Sequence, residues 1–180
     1  EHYGVSTVNV LTGFKFIGEH IGCLEKAGHA DSYIFGFEES YGCLIGTHAR
    51  DKDAIVATMA LCEAAAYYKT QGKTLWDAMI DMYEKYGYYK DDIQSITLKG
   101  IEGLEKIQKI LSELRTNAPT QIGDYKVLVA RDYKADTVKD LETGEVTPTG
   151  LPSSNVLYYE LTDDAWLCVR PSGTEPKVKF

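Results

Sequence analysis

Arg170-Pro171-Ser172-Gly173-Thr174-Glu175-Pro176-Lys177 combines a fixed guanidinium, two hydroxyls and a Gly-centred turn between two β-rich runs, a set that suits a phosphate. Pro171 and Gly173 favour a tight turn whose backbone N–H groups can converge. Ser172 and Thr174 add hydroxyl donors, and Arg170 offers a planar fork that matches phosphate oxygens bidentately. The competing reading is a solvated arginine beside a plain turn, with the Thr174 hydroxyl serving that turn. A second segment, Phe35-Gly36-Phe37-Glu38-Glu39-Ser40-Tyr41-Gly42, follows the apolar run Tyr33-Ile34-Phe35, whose pattern predicts a short buried strand ending in a loop. Glu38, Glu39 and Ser40 supply acceptors and a donor for vicinal hydroxyls, which is the chemistry a sugar ring asks of a pocket. Taken alone, the segment is better explained as a solvated acidic turn.

Between these segments lies His48-Ala49-Arg50-Asp51-Lys52-Asp53. The Lys52 ammonium could neutralise transferring phosphoryl oxygens or, with a depressed pKa, carry a hydroxyl proton. A cation in the first turn of a helix opposes the helix dipole, so Lys52 needs a reason other than helix stability, although a solvated lysine is the plain alternative. His48, with an unperturbed pKa of about 6.5, could carry the proton instead. Arg50 could orient either group. Lys52 ranks above His48 for substrate contact, and the general base stays unassigned.

The elements that must position these groups are legible in outline. Phe14, Ile17, Ile21 and Leu24 recur at helical spacing within Thr12 to Lys26, closed by Gly28. Asp51 is expected to cap a long helix through Ile55, Met59, Leu61, Cys62, Ala65 and Ala66, ending near Gln71-Gly72. Thr74 with Asp77 predicts a capping box for a further helix carrying Leu75, Ala78, Met79, Met82 and Tyr83. Trp76 and the tyrosines at 83, 86, 88 and 89 are read as core and packing residues. A helix over Ile101–Leu114 follows, ended by Thr116-Asn117-Ala118-Pro119. Strands are expected at Tyr125–Ala130, Val156–Leu161 and Ala165–Val169, the last two joined as a hairpin by Thr162-Asp163-Asp164. Asp136–Ser154 reads as an exposed excursion.

Composition limits the function classes. A chain of 180 residues with 44% hydrophobic content can bury a core, and a formal net charge of −8 argues against nucleic acid as a partner. No apolar run reaches the roughly 20 residues that cross a bilayer, and a cytoplasmic location is expected. Cys23, Cys43, Cys62 and Cys168 lack CxxC spacing and mostly sit in apolar contexts, so buried free thiols are expected rather than a zinc site or a disulfide framework.

Taken together, these motifs resemble the α-D-phosphohexomutase family, whose phosphoglucomutase and phosphomannomutase members interconvert 1-phospho and 6-phospho sugars. Glu38-Glu39-Ser40 looks like the family's sugar-recognition loop and Arg170–Lys177 like its phosphate-binding loop. The His48–Asp53 segment resembles the one that brings a lysine to the substrate, and Leu11-Thr12-Gly13-Phe14-Lys15 a further substrate-side loop. The resemblance implies substrate binding by Thr12, Gly13, Glu38, Ser40, Lys52, Arg170, Ser172, Gly173 and Thr174. Glu38 and Ser40 would hold ring hydroxyls, and Arg170, Ser172 and Thr174 the phosphate that is not reacting.

It also implies Mg2+ and glucose 1,6-bisphosphate as cofactors, although no Ser-His-Asn or Asp-Gly-Asp-x-Asp-Arg run is present to carry the family's phosphoserine or metal. The expected fold class is α/β: part of a third α/β domain over residues 1–95, then a connecting helix and an α+β C-terminal domain with an antiparallel sheet over 96–180. The boundary falls within the segment 90–120, and the partners implied are a phosphohexose and the family's N-terminal domains. The sugar loop resembles the phosphoglucomutase branch better than the bacterial dual-specificity one, without excluding mannose phosphate. A non-catalytic phosphosugar-binding module is the reading of a different class. Purified by itself, the 180-residue chain is expected to show no mutase turnover; a spectrophotometric assay that detects turnover would overturn the assignment of missing phosphoryl-carrier and metal segments.

Overall fold

The computed structural model describes residues 3–38, 41–98, 100–172 and 175–180. The chain divides into two compact units, Glu1–Lys90 and Asp91–Phe180. In the first, helix α1 (Phe14–Lys26) leads through a 3-10 turn at Ala30–Ser32 to an antiparallel hairpin of β1 (Phe35–Phe37) and β2 (Cys43–Ile45), followed by α2 (Ala54–Thr70) and α3 (Leu75–Tyr86). The apolar stripe of α1 buries Phe14 and Ile21, which meet Leu44 of β2 in a small core flanked by Ile17, Tyr33 and Ala49. The capping box that opens α3 is present: Thr74 Oγ1 accepts from the Asp77 amide and the Asp77 carboxylate accepts from the Thr74 amide.

Several expectations are corrected here. Asp53, rather than Asp51, caps α2, accepting from the amides of Ile55 and Val56. Lys52 therefore precedes the helix instead of lying in its first turn. The strand after Tyr33 starts at Phe35 and is not buried, since Phe35 and Phe37 are half or more exposed. Trp76, Tyr86, Tyr88 and Tyr89 are exposed, and only Tyr83 of that cluster is partly covered. Ile55, Met59 and Leu61 of α2 are exposed as well, because a core of three buried side chains leaves no second apolar layer over these helices. The four cysteines are free but none is buried: Cys23 and Cys62 are exposed, Cys43 and Cys168 half-buried.

The second unit is one helix on an antiparallel sheet. Strands β3 (Ser95–Thr97), β4 (Gln121–Ile122), β5 (Tyr125–Asp132), β6 (Thr137–Asp140), β7 (Val146–Thr147), β8 (Leu157–Leu161), β9 (Trp166–Pro171) and β10 (Lys177–Lys179) join in the order β3-β10-β9-β8-β5-β6-β7, with β4 on β5. The excursion at 136–154 thus contains a hairpin of its own, β6–β7. Strict alternation on β8 sends Leu157, Tyr159 and Leu161 inward, where they meet Val127, Val169 and Val178 beneath Ile107 and Leu111 of α4 (Gly100–Thr116). Arg115 ties the end of α4 to the sheet through Asp132 at 3.0 Å and Asn155 at 2.5 Å.

Gly103 lets α4 approach the segment that follows β3: a Cβ there would collide with the backbone carbonyl of Leu98. Leu111→Ala is expected to cost about 2–5 kcal/mol through the cavity it leaves. Gly103→Ala is expected to cost at least as much, because a backbone carbonyl cannot turn aside. Urea unfolding followed by Trp166 fluorescence in a Trp76→Phe background reads both. Midpoints equal to that of the parent would show that α4 is not held on the sheet as described.

Candidate functional site

In the first unit the predicted residues converge on the β1–β2 hairpin. Glu38 follows β1 directly, and its amide donates to the Gly42 carbonyl at 2.8 Å, so the connection closes on itself. Tyr41 within it has φ 72, the left-handed region that a non-glycine residue enters at a cost. Glu39 and Ser40 lie outside the described residues. The loop after β2 returns to the hairpin, where the Asp53 amide donates to the Cys43 carbonyl at 2.9 Å.

That return sets Lys52 beside Glu38, with Nζ 3.9 Å from Glu38 Oε2 and 3.0 Å from Asp51 Oδ1. The Lys52 ammonium also lies 5.7 Å from the centroid of the buried Phe14 ring. The Glu38 side chain is only 12% exposed against 51% for Lys52. The Asp51 hydrogen bond, with the Asp51 and Glu38 charges, pushes the Lys52 amine above its ordinary value despite opposing desolvation. The expectation that a depressed pKa lets Lys52 shuttle a proton is therefore corrected: at neutral pH the group is a cation.

His48 and Arg50 are occupied differently. His48 Nε2 meets Asp53 Oδ2 at 2.9 Å, supporting the cap of α2. Arg50 donates to the carbonyls of Thr47 and Ala49 and pairs with Glu25 near the end of α1, so it braces its own turn and orients neither Lys52 nor His48. Thr12 and Gly13 precede α1 and line a groove of 460 Å3 together with Tyr33, Phe37 and Glu38. Two predicted substrate-side segments thus share one concavity, with Glu38 among its lining residues.

In the second unit Arg170 and Ser172 lie at and just beyond the end of β9. The Ser172 amide donates to the Lys177 carbonyl at 2.7 Å, and Ser172 Oγ accepts from the Glu175 amide at 3.3 Å. The expectation of freely converging amides is corrected at Ser172, whose N–H is taken up by the hairpin. Gly173 and Thr174 lie outside the described residues.

Arg170 pairs in register with Lys179 of β10. Among the described residues no carboxylate pairs with either cation, whereas Lys177 is met by Glu175 at 3.1 Å. Like charges directly opposite in a sheet repel, and an anion placed between them would relieve that repulsion. Lys179 was missed in the sequence; its signal was the alternation Lys177-Val178-Lys179 around a buried valine. Among the described residues no group of three His, Cys, Asp or Glu side chains could hold a metal ion, and no helix is long and apolar enough to cross a membrane.

The hydrogen bond from His48, then the amides of Val56 and Ile55, hold the Asp53 carboxyl below the ordinary range. Because the folded value is the lower one, Asp53's stabilising contribution is complete above its unfolded value of about 3.9 and fades as pH falls through the folded value. Asp53→Asn keeps a capping oxygen but drops this dependence. Its melting temperature is expected to lie below the parent's at about pH 6 and to converge on it towards about pH 3. A gap that stays constant across that range in thermal melts would count against the role given to the Asp53 charge.

Comparison with known proteins places these features in context. Residues 1–86 match the family described as phosphoglucomutase/phosphomannomutase, alpha/beta/alpha domain III. A protein named phosphoglucomutase from Staphylococcus aureus (strain bovine RF122 / ET3-1) is 41% identical over 171 residues, covering 95% of this chain and 30% of that protein. Another of that name, from Staphylococcus epidermidis (strain ATCC 12228), is 36% identical over 180 residues, covering all of this chain and 32% of the relative. The chain thus spans about a third of the length of the curated relatives it matches.

Proposed function

This chain belongs to the phosphoglucomutase/phosphomannomutase family, and from that premise we propose that it is the sugar- and distal-phosphate-binding part of a phosphoglucomutase. The reaction would interconvert glucose 1-phosphate and glucose 6-phosphate through a phosphoserine enzyme and glucose 1,6-bisphosphate, with Mg2+ supplied to the transferring phosphoryl group from outside the described residues. The division into a sugar-binding part over 1–95 and a phosphate-binding part over 96–180 belongs to the same reading. The observation that carries it is the meeting of the Glu38 carboxylate and the Lys52 ammonium at the hairpin, where Glu38 is also one of the residues that line the groove with Thr12 and Gly13.

Each residue then has a physical task. A bisphosphorylated hexose must present either end to one phosphoserine, so the protein must hold ring hydroxyls that both orientations share. Glu38, an acceptor with little exposure, suits that task, and Ser40 joins it by resemblance. Lys52, kept protonated by Asp51, offers a fixed positive charge to phosphoryl oxygens and no site for a proton. His48 is spent on Asp53, which favours a positioning task over proton transfer. Arg170 and Lys179, side by side with no carboxylate partner among the described residues, suit the phosphate that is not reacting, and Ser172, Gly173 and Thr174 join them by resemblance. Gripping that distal group uses remote binding energy to align the reacting hydroxyl.

The test is mutase activity of the full-length parent with Mg2+ and a trace of glucose 1,6-bisphosphate, on glucose 1-phosphate and mannose 1-phosphate side by side. A clear glucose preference is expected. Comparable rates would make it a dual-specificity phosphohexomutase, and turnover of neither would move it to a non-catalytic phosphosugar-binding module. Arg170→Ala and Glu38→Gln are each expected to lower kcat/KM by roughly 10- to 100-fold, the worth of a hydrogen bond to a charged group. Both should leave the melting temperature near the parent's, and a large stability loss from either would favour a structural role.

A further inference from the structure

Gly42, the residue before β2, is closely approached by the returning Lys52 side chain. A Cβ built on Gly42 would fall inside van der Waals contact of Lys52 Cδ, and 3.3 Å from both Lys52 Cβ and Glu38 Oε2. Gly42 is not among the residues with positive φ, so its backbone conformation is open to any residue. Space, rather than conformation, is what asks for glycine here. The stem of Lys52 passes this bare backbone, and its ammonium lies 3.9 Å from Glu38 Oε2 and 5.7 Å from the centroid of the Phe14 ring.

We propose that Gly42 is a positioning residue for the phosphosugar site: by lacking a Cβ it lets the Lys52 stem cross the β1–β2 hairpin and sets the ammonium beside the Glu38 carboxylate. The inference rests on the reading of Lys52 and Glu38 as substrate-contacting groups, while the geometry behind it can be read without turnover. A methyl group at 42 cannot be met by backbone movement alone, because the Gly42 carbonyl holds the Glu38 amide and the Cys43 carbonyl holds the Asp53 amide. The part that can yield is the Lys52 stem, and its displacement carries the charge away from Glu38. The Glu38 carboxylate, at 3.3 Å, needs to give by only a few tenths of an ångström, so the main displacement falls on Lys52.

The experiment is a double-mutant cycle in the full-length protein, comparing the parent, Gly42→Ala, Lys52→Ala and the double variant. Gly42→Ala is expected to lower kcat/KM by about tenfold when Lys52 is present and by less than about twofold when residue 52 is alanine. Equal losses in the two backgrounds would overturn the proposal, since a purely structural glycine costs the same in both. NMR of 13C-lysine-labelled protein supplies a readout independent of activity: the Lys52 ε-methylene signal, identified by its loss in Lys52→Ala, should lose the ring-current shift from Phe14 in Gly42→Ala. An unchanged signal would overturn the proposal.

Should Gly42→Ala fail to fold, recovery of folding in the double variant would support it, and failure of both would overturn it. A parent with no mutase turnover would defeat the proposed function alone, because the lysine signal and the melting temperatures of the cycle still decide the inference.

Discussion

The first unit hangs on Asp53. Its amide donates to the Cys43 carbonyl, one carboxylate oxygen accepts from the first amides of α2, and the other meets His48. Three pieces of chain with little apolar burial between them are thereby held by one residue. A core of Phe14, Ile21 and Leu44 is too small to fix a loop by packing, so polar contacts set its course. Lys52 occupies the position just before this anchor, and for that reason a long and flexible side chain is delivered to one place on the hairpin.

Electrostatics there follow from the same arrangement. Asp51 and Glu38 both favour the charged amine, and half of the Lys52 side chain remains open to solvent. A cation kept in this way suits the binding of an anionic group better than the transfer of a proton, which needs a pKa near the working pH. His48, the other candidate, is turned to the helix cap. The division of labour between these two residues is set by what each one touches.

The second unit works by a different constraint, the period of two along a strand. One face of the sheet must meet Ile107 and Leu111 of α4, which sends Val169 and Val178 inward. Arg170 and Lys179, each one position from a buried valine, are then obliged to share the other face and to stand opposite each other. The core and the cationic pair are therefore two consequences of a single register. A slip of one residue would lose both.

Much of this was legible in the chain of residues. The amphipathic spacing of α1 and α4, the Thr74–Asp77 box and the β8–β9 hairpin are local signals, decided by neighbours within a few positions. What escaped depended on partners distant in sequence. Asp51 and Asp53 are equally good caps by type, and contacts with Cys43 and His48 favour the second. Short strands such as β2, β3 and β10 have too few residues to display a period, and they exist because a neighbouring strand supplies their hydrogen bonds. Trp76 and the tyrosines near α3 look like core residues by type, but burial needs a surface to pack against, which these helices do not supply. Sequence by itself determined which side chains carry carboxylates, hydroxyls and fixed cations, because that depends on residue type. Tertiary structure alone decided that Lys52 meets Glu38 and that Lys179 meets Arg170, because proximity across a hairpin or a ladder is a property of register and not of residue type.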